Sequence, residues 1–152
     1  MRVEARRCDE RGSTAVEFAL IVVLFFTLIF GMIQYSLYFW STQAAANAAR
    51  EGARRGSVGQ TCADLTANTL SYIKLRDNTP TITRRYYAAT DTTFSTPITA
   101  TNGANVRIRI TYNSIDLHFP FVPFINDGAV SETAVARVEN YSMLELDKWT
   151  EC

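Results

Sequence analysis

From Phe18 to Ala49 the chain carries no charged side chain, a run of 32 residues. Its first half, Phe18 to Ile33, reads FALIVVLFFTLIFGMI, with only Thr27 and Gly31 among large apolar side chains. A bilayer core about 30 Å thick takes roughly 20 apolar residues in a helix. The stretch Ala15 to Trp40 supplies 26, enough to cross with some tilt. Tyr35, Tyr38 and Trp40 gather at its far end, where amphipathic rings favour the headgroup region. Ala46-Asn47-Ala48 offers a signal-peptidase site, but secretory apolar regions run only about 7–15 residues. A buried core helix is the other competitor, and so long a run of uncharged large side chains argues against it. The pattern predicts a membrane-spanning helix.

The helical pattern continues past the apolar run. Ser41 to Arg55 is alanine-rich with no Gly or Pro before Gly52, so the helix is expected to leave the bilayer intact. Gly52 and Gly56 offer C-terminal stops. Arg50, Arg54 and Arg55 with Glu51 read as a solvated charged helix end, near enough to the span for the arginines to meet anionic headgroups. Thr61 with Asp64 three residues on can cap a second helix, with Leu65, Leu70, Tyr72 and Ile73 as a loose apolar face to about Leu75. Asp77-Asn78-Thr79-Pro80 ends it. Thr81–Ala88 and Thr92–Ile98 have strand composition, rich in Thr and aromatics. Val106 to Tyr112 alternates strictly and is the clearest half-buried strand, with Asn102-Gly103 before it as a turn signal. Ala129–Tyr141 reads as another strand, with Val130, Ala134, Ala136 and Val138 on one face. The expected fold class is α+β: a long N-terminal transmembrane helix, a second helix, and an antiparallel sheet packed on the emerging first helix.

One segment fits neither period. Leu117 to Ile125 holds Phe119, Phe121 and Phe124 around Pro120 and Pro123, which break both helix and ladder. It is either a loop tucked over the sheet or an exposed apolar patch that docks a partner subunit.

Charge sharpens the start of the chain. Residues 1–12 carry Arg2, Arg6, Arg7 and Arg11 against Glu4, Asp9 and Glu10. Glu17 then places a carboxylate just inside the span. At a helix centre that costs about 2.5–3.5 kcal/mol on insertion scales, and less near an end. A partner cation would change the balance. Four arginines before the span and three after it favour a cytoplasmic N-terminus only narrowly.

Gly12, four residues, then Glu17-Phe18 resembles the processing site of type IV prepilins. The wider run Gly12-Ser-Thr-Ala-Val-Glu-Phe-Ala-Leu20, then Phe30-Gly31-Met-Ile and Gln43 to Arg54, resembles the TadE/TadG-like minor pilins (pseudopilins) of tight-adherence, or Tad/Flp, systems. Ala134 to Glu139 resembles that family's closing strand. The resemblance implies a prepilin peptidase cut between Gly12 and Ser13. It would divide the chain into a leader 1–12, a transmembrane and extended helix 13–56, and an exported domain 57–152. The new ammonium at Ser13 is the cation that Glu17 wants, in the same or a neighbouring subunit. Glu17 and Phe18 then become the assembly and registry residues. Three cysteines leave one unpaired. Removal of the leader takes Cys8 and leaves Cys62 and Cys152, either as a disulfide or as two free thiols.

Nothing in the sequence marks an active site. His118 is the single histidine. No Cys/His cluster has metal spacing, and there is no phosphate loop or G-x-S-x-G elbow. Neither enzyme activity, cofactor, metal nor small-molecule substrate is expected. With 15 basic and 15 acidic side chains no nucleic-acid partner is expected either. Arg84, Arg85, Arg107 and Arg109 can form a local basic strip, for which a solvated strand face is the simpler account. The expected partners are the prepilin peptidase, other pilin subunits, inner-membrane pilus assembly proteins and membrane lipid. The expected setting is a bacterial cell envelope, as a single-pass protein with its short N-terminus cytoplasmic and its C-terminal domain exported, or an extracellular filament. The alternative is an unprocessed, membrane-anchored scaffold or binding protein.

Overall fold

A computed structural model describes residues 9–73, 79–119, 122–123, 125–139 and 141–152. Helix α1 runs unbroken over Asp9–Ser57, 49 residues. Helix α2 is Cys62–Leu70. The strands are β1 Thr81–Tyr87, β2 Pro97–Ile98, β3 Asn105–Asn113 and β4 Ala129–Arg137. They form one antiparallel sheet in the order β2-β1-β3-β4. The architecture is α+β, with a sheet laid across the second half of α1.

That half of α1 shows the sheet a stripe of small side chains. Ser41, Ala45, Ala48, Ala49, Ala53 and the two glycines recur every three or four residues, the spacing of one helix face. The alanines and Ser41 are buried. Opposite them lie Val106, Ile108, Ile110 and Tyr112 of β3, together with Val130 of β4, Val138 beyond its end, and Tyr86 of β1. Small residues on the helix and branched residues on the strand let the two backbones approach closely. The even-numbered positions of β1, β3 and β4 face α1 in register, as in the pairs Arg84↔Ile108 and Ile108↔Ala134.

Two expectations change here. Gly52 and Gly56 do not stop the helix, which ends at Ser57. They serve packing: a Cβ on Gly52 would lie 3.2 Å from Ile108 Cγ2, and one on Gly56 would lie 3.3 Å from Val106 Cγ2. The positive φ of +78° falls at Gly59 instead. The expected strand Thr92–Ile98 shrinks to Pro97–Ile98. Asp91 accounts for the difference, because its carboxylate accepts from the backbone N–H groups of Thr93, Ser95 and Thr96 and winds the segment into a loop.

The remaining boundaries follow the sequence more closely. Thr61 Oγ1 accepts from the Asp64 N–H at 3.2 Å and donates to the Asp64 carboxylate at 2.8 Å, capping α2. The helix ends at Leu70, shorter than the apolar face suggests; Leu65 and Ile73 are buried, while Tyr72 is exposed. Residues 74–78, including Leu75 and Asp77-Asn78, lie outside the described residues.

Candidate functional site

The first half of α1 stands clear of the domain. Gly12 through Leu28 is largely exposed, and it opens the one helix among the described residues, Gly12–Ser57, that is long and apolar enough to cross a membrane. Gly12 and Ser13 lie on the exposed helix, with nothing within 4 Å of a Cβ added at Gly12. Glu17 sits one helical turn past Ser13, about 6 Å along the axis at 1.5 Å per residue. It makes no ion pair among the described residues. Phe18 is exposed beside it. Cys8 lies outside the described residues.

The described part of the Phe/Pro segment, residues 117–119 and 122–123, is irregular and lies against α1 rather than over the sheet. It belongs to the long β3–β4 connection and descends along α1 towards the apolar half. Gln34, only 2% exposed, grips it at two points: its Nε2 donates to the Ile115 carbonyl at 2.9 Å, and its Oε1 accepts from the Leu117 N–H at 3.0 Å. The Tyr35 hydroxyl donates to the Pro123 carbonyl at 2.8 Å. The Phe119 ring stacks on Phe30 at 4.5 Å between centroids. Phe121 and Phe124 lie outside the described residues. The sequence reading missed Gln34. Its signal was there: it is the single side-chain amide between Phe18 and Trp40, and a polar group in so apolar a stretch needs a partner.

At the opposite end of the domain the chain terminus is clasped to α2 and β1. Cys62 and Cys152 form a disulfide with Cα atoms 5.8 Å apart. The backbone of Cys152 exchanges hydrogen bonds with Arg84 on the outer edge of β1. Arg84 is fully buried and corrects the expected basic strip. Its Nε donates to the Thr150 carbonyl at 2.8 Å, its Nη1 to the Gln60 carbonyl at 2.6 Å, and its Nη2 reaches Cys62 Sγ at 3.3 Å. Burial holds its guanidinium below the usual arginine range, partly offset by Tyr86. The parity of the strand gave the clue, since Arg84 shares its face with Ile82 and Tyr86. Arg85, Arg107 and Arg109 lie on the other face, with Arg107 over the Phe94 ring at 5.3 Å, and Arg137 joins them across Asn105. No group of His, Cys, Asp and Glu among the described residues could hold a metal ion.

Residues 12–54 match the family model of TadE-like proteins. The N-terminal third of this chain is TadE-like. The match begins at Gly12, spans the exposed half of α1, and ends within the small-residue stripe that carries the sheet. The remainder of the chain, including the disulfide clasp and the loop gripped by Gln34, falls outside the matched segment. No curated protein and no solved structure matches the chain. A TadE-like segment associates the protein with Tad pilus systems, whose TadE-like components are generally structural. The long apolar helix found among the described residues fits a single-pass membrane protein of such a system.

Proposed function

We propose that the protein is a minor pilin, or pseudopilin, that is cut by a prepilin peptidase between Gly12 and Ser13 and assembles with or primes a Tad/Flp-type pilus used in adhesion or secretion. The carrying observation is the TadE-like match beginning at Gly12, with Glu17 one turn beyond the cleavage point on an exposed helix. In this reading residues 1–12 are the leader, cytoplasmic before the cut. Helix 13–56 anchors the subunit and packs against other pilin helices. Residues 57–152 face outward, where an oxidising compartment suits the Cys62–Cys152 disulfide. The Ser13 ammonium and the Glu17 carboxylate, in one subunit or across two, form the pair that sets helix register. Such a pair is strong in apolar surroundings only when both members are present. The partners are the peptidase, sister pilins and inner-membrane assembly proteins.

Intact mass and N-terminal sequencing of membrane-extracted protein test the cut. A chain beginning at Ser13 is expected. A chain beginning at Met1 in cells with an active peptidase leaves a membrane-anchored scaffold and sinks the pilin reading. Glu17→Ala separates cutting from assembly: the variant should mature yet enter filaments poorly. Assembly equal to the parent would remove the registry role.

A further inference from the structure

The loop gripped by Gln34 lies alongside the part of α1 that a membrane must cover. Take Phe18, the first residue past Glu17, as the start of the hydrocarbon. Roughly 20 residues are then needed to cross it, which carries the span to Leu37. Gln34 and Phe30 fall inside that length. Phe30 is seven residues short of its end, about 10 Å at 1.5 Å per residue. Ile115 and Leu117 sit at the level of Gln34, and Phe119 at the level of Phe30. If α1 spans, the domain cannot avoid bringing this loop to the membrane.

The loop is built for that position. Irregular backbone at membrane depth is tolerated only where its polar groups find partners. Here Gln34 takes the Ile115 carbonyl and the Leu117 N–H, and Tyr35 takes the Pro123 carbonyl. The His118 N–H goes to the Asp116 carboxylate at 2.8 Å, and the Val122 N–H to the Phe119 carbonyl. Pro123 carries no N–H at all. Ile115 and Leu117 remain substantially exposed, at 36% and 40%. Asp116 and His118 contact each other at 3.5 Å, and two such groups suit the headgroup boundary rather than the bilayer centre.

We propose that this loop is a membrane-dipping wedge. Ile115, Leu117 and Phe119 meet the acyl chains of the leaflet at the domain end of α1, and Gln34 and Tyr35 satisfy the loop backbone there. The occupant of the apolar surface is lipid, before any assembly. The inference rests on α1 spanning a membrane but not on cleavage or pilus assembly. The wedge fixes the height and tilt of the domain above the bilayer, which an unsupported helix would leave free.

Photocrosslinking tests it on the full chain in vesicles of phosphatidylcholine and phosphatidylglycerol. p-Benzoylphenylalanine is placed singly at positions 25, 115, 117 and 85, and adducts are read by intact mass. Lipid adducts are expected at 25, 115 and 117, with none at 85 on the outer sheet face. Adducts at 25 without any at 115 or 117 overturn the wedge and leave the span intact. Crosslinks from 115 and 117 to a second copy, in place of lipid, also overturn it in favour of a subunit contact. No lipid adduct at 25 removes the span and the wedge together.

Discussion

Gly52 and Ile108 touch so closely that the helix–sheet distance is set between them: a Cβ on Gly52 would sit 3.2 Å from Ile108 Cγ2 and 3.3 Å from Thr69 Oγ1. Gly52→Leu should therefore push α1 off the sheet. Overpacking of this kind costs about 1–3 kcal/mol, and thermal unfolding in detergent should show a lower midpoint. Gly31→Ala is the control, since nothing lies within 4 Å of a Cβ there; it should leave the midpoint unchanged or slightly raised.

Gly59 is constrained twice. Its φ is +78°, and a Cβ would fall 2.6 Å from Trp149 Cζ2. Left-handed backbone costs a residue with a side chain about 1–2 kcal/mol, and Trp149 is a buried ring with little room to retreat. Gly59→Ala should therefore destabilise more than Gly52→Ala, with the 141–152 segment losing amide protection in hydrogen exchange first.

Arg84 holds the terminal clasp through donors aimed at two carbonyls on different segments. Arg84→Ala removes the donors to the part-buried Thr150 and Gln60 carbonyls and should cost about 1–3 kcal/mol in urea unfolding, at about 0.5–1.5 kcal/mol per bond. Arg84→Lys keeps the charge but lacks the planar fork, so it should recover only part of that loss. A Lys variant as stable as the parent would show that charge alone suffices.

Reducing the Cys62–Cys152 bond opens a link between residues 90 apart in sequence. The chain-entropy model assigns such a closure about 4–5 kcal/mol. Reductant, or Cys152→Ser, should lower the unfolding midpoint and make the segment after Tyr141 sensitive to limited proteolysis. The membrane half of α1 should stay protected in micelles.

Glu51 gives a pH signature outside the membrane span. The bidentate hydrogen bonds from Arg54, then the bond from Arg55, hold its carboxyl down to about 2 from an ordinary 4.5. A depressed carboxyl stabilises the fold above its unfolded value and loses that contribution as pH falls towards the folded one. The window is thus about pH 4.5 down to about 2. Exposed helix pairs contribute only about 0.3–0.5 kcal/mol each, so the stability change should be small. An NMR titration of the Glu51 carboxyl should place its midpoint near the lower end, and closer to 4.5 in Glu51 chains carrying Arg54→Ala and Arg55→Ala.

What the linear chain determines here is whatever repeats along it. The uncharged run specifies a long helix because a bilayer rewards apolar length. Alternation from Val106 to Tyr112 specifies a half-buried strand because side chains on a strand point to opposite faces. Thr61 with Asp64 specifies the start of α2 because a hydroxyl can accept the orphan N–H three residues on. Only the tertiary structure decided the rest, because each of these roles depends on atoms far apart in sequence. Gly52 and Gly56 read as helix stops until Ile108 and Val106 fill the space their missing side chains leave. Arg84 reads as one of four surface arginines until the C-terminus lies over it. Gln34 reads as a blemish in an apolar helix until a loop more than eighty residues away offers it a carbonyl and an N–H. Local pattern names the element, and the partner across the fold names the role.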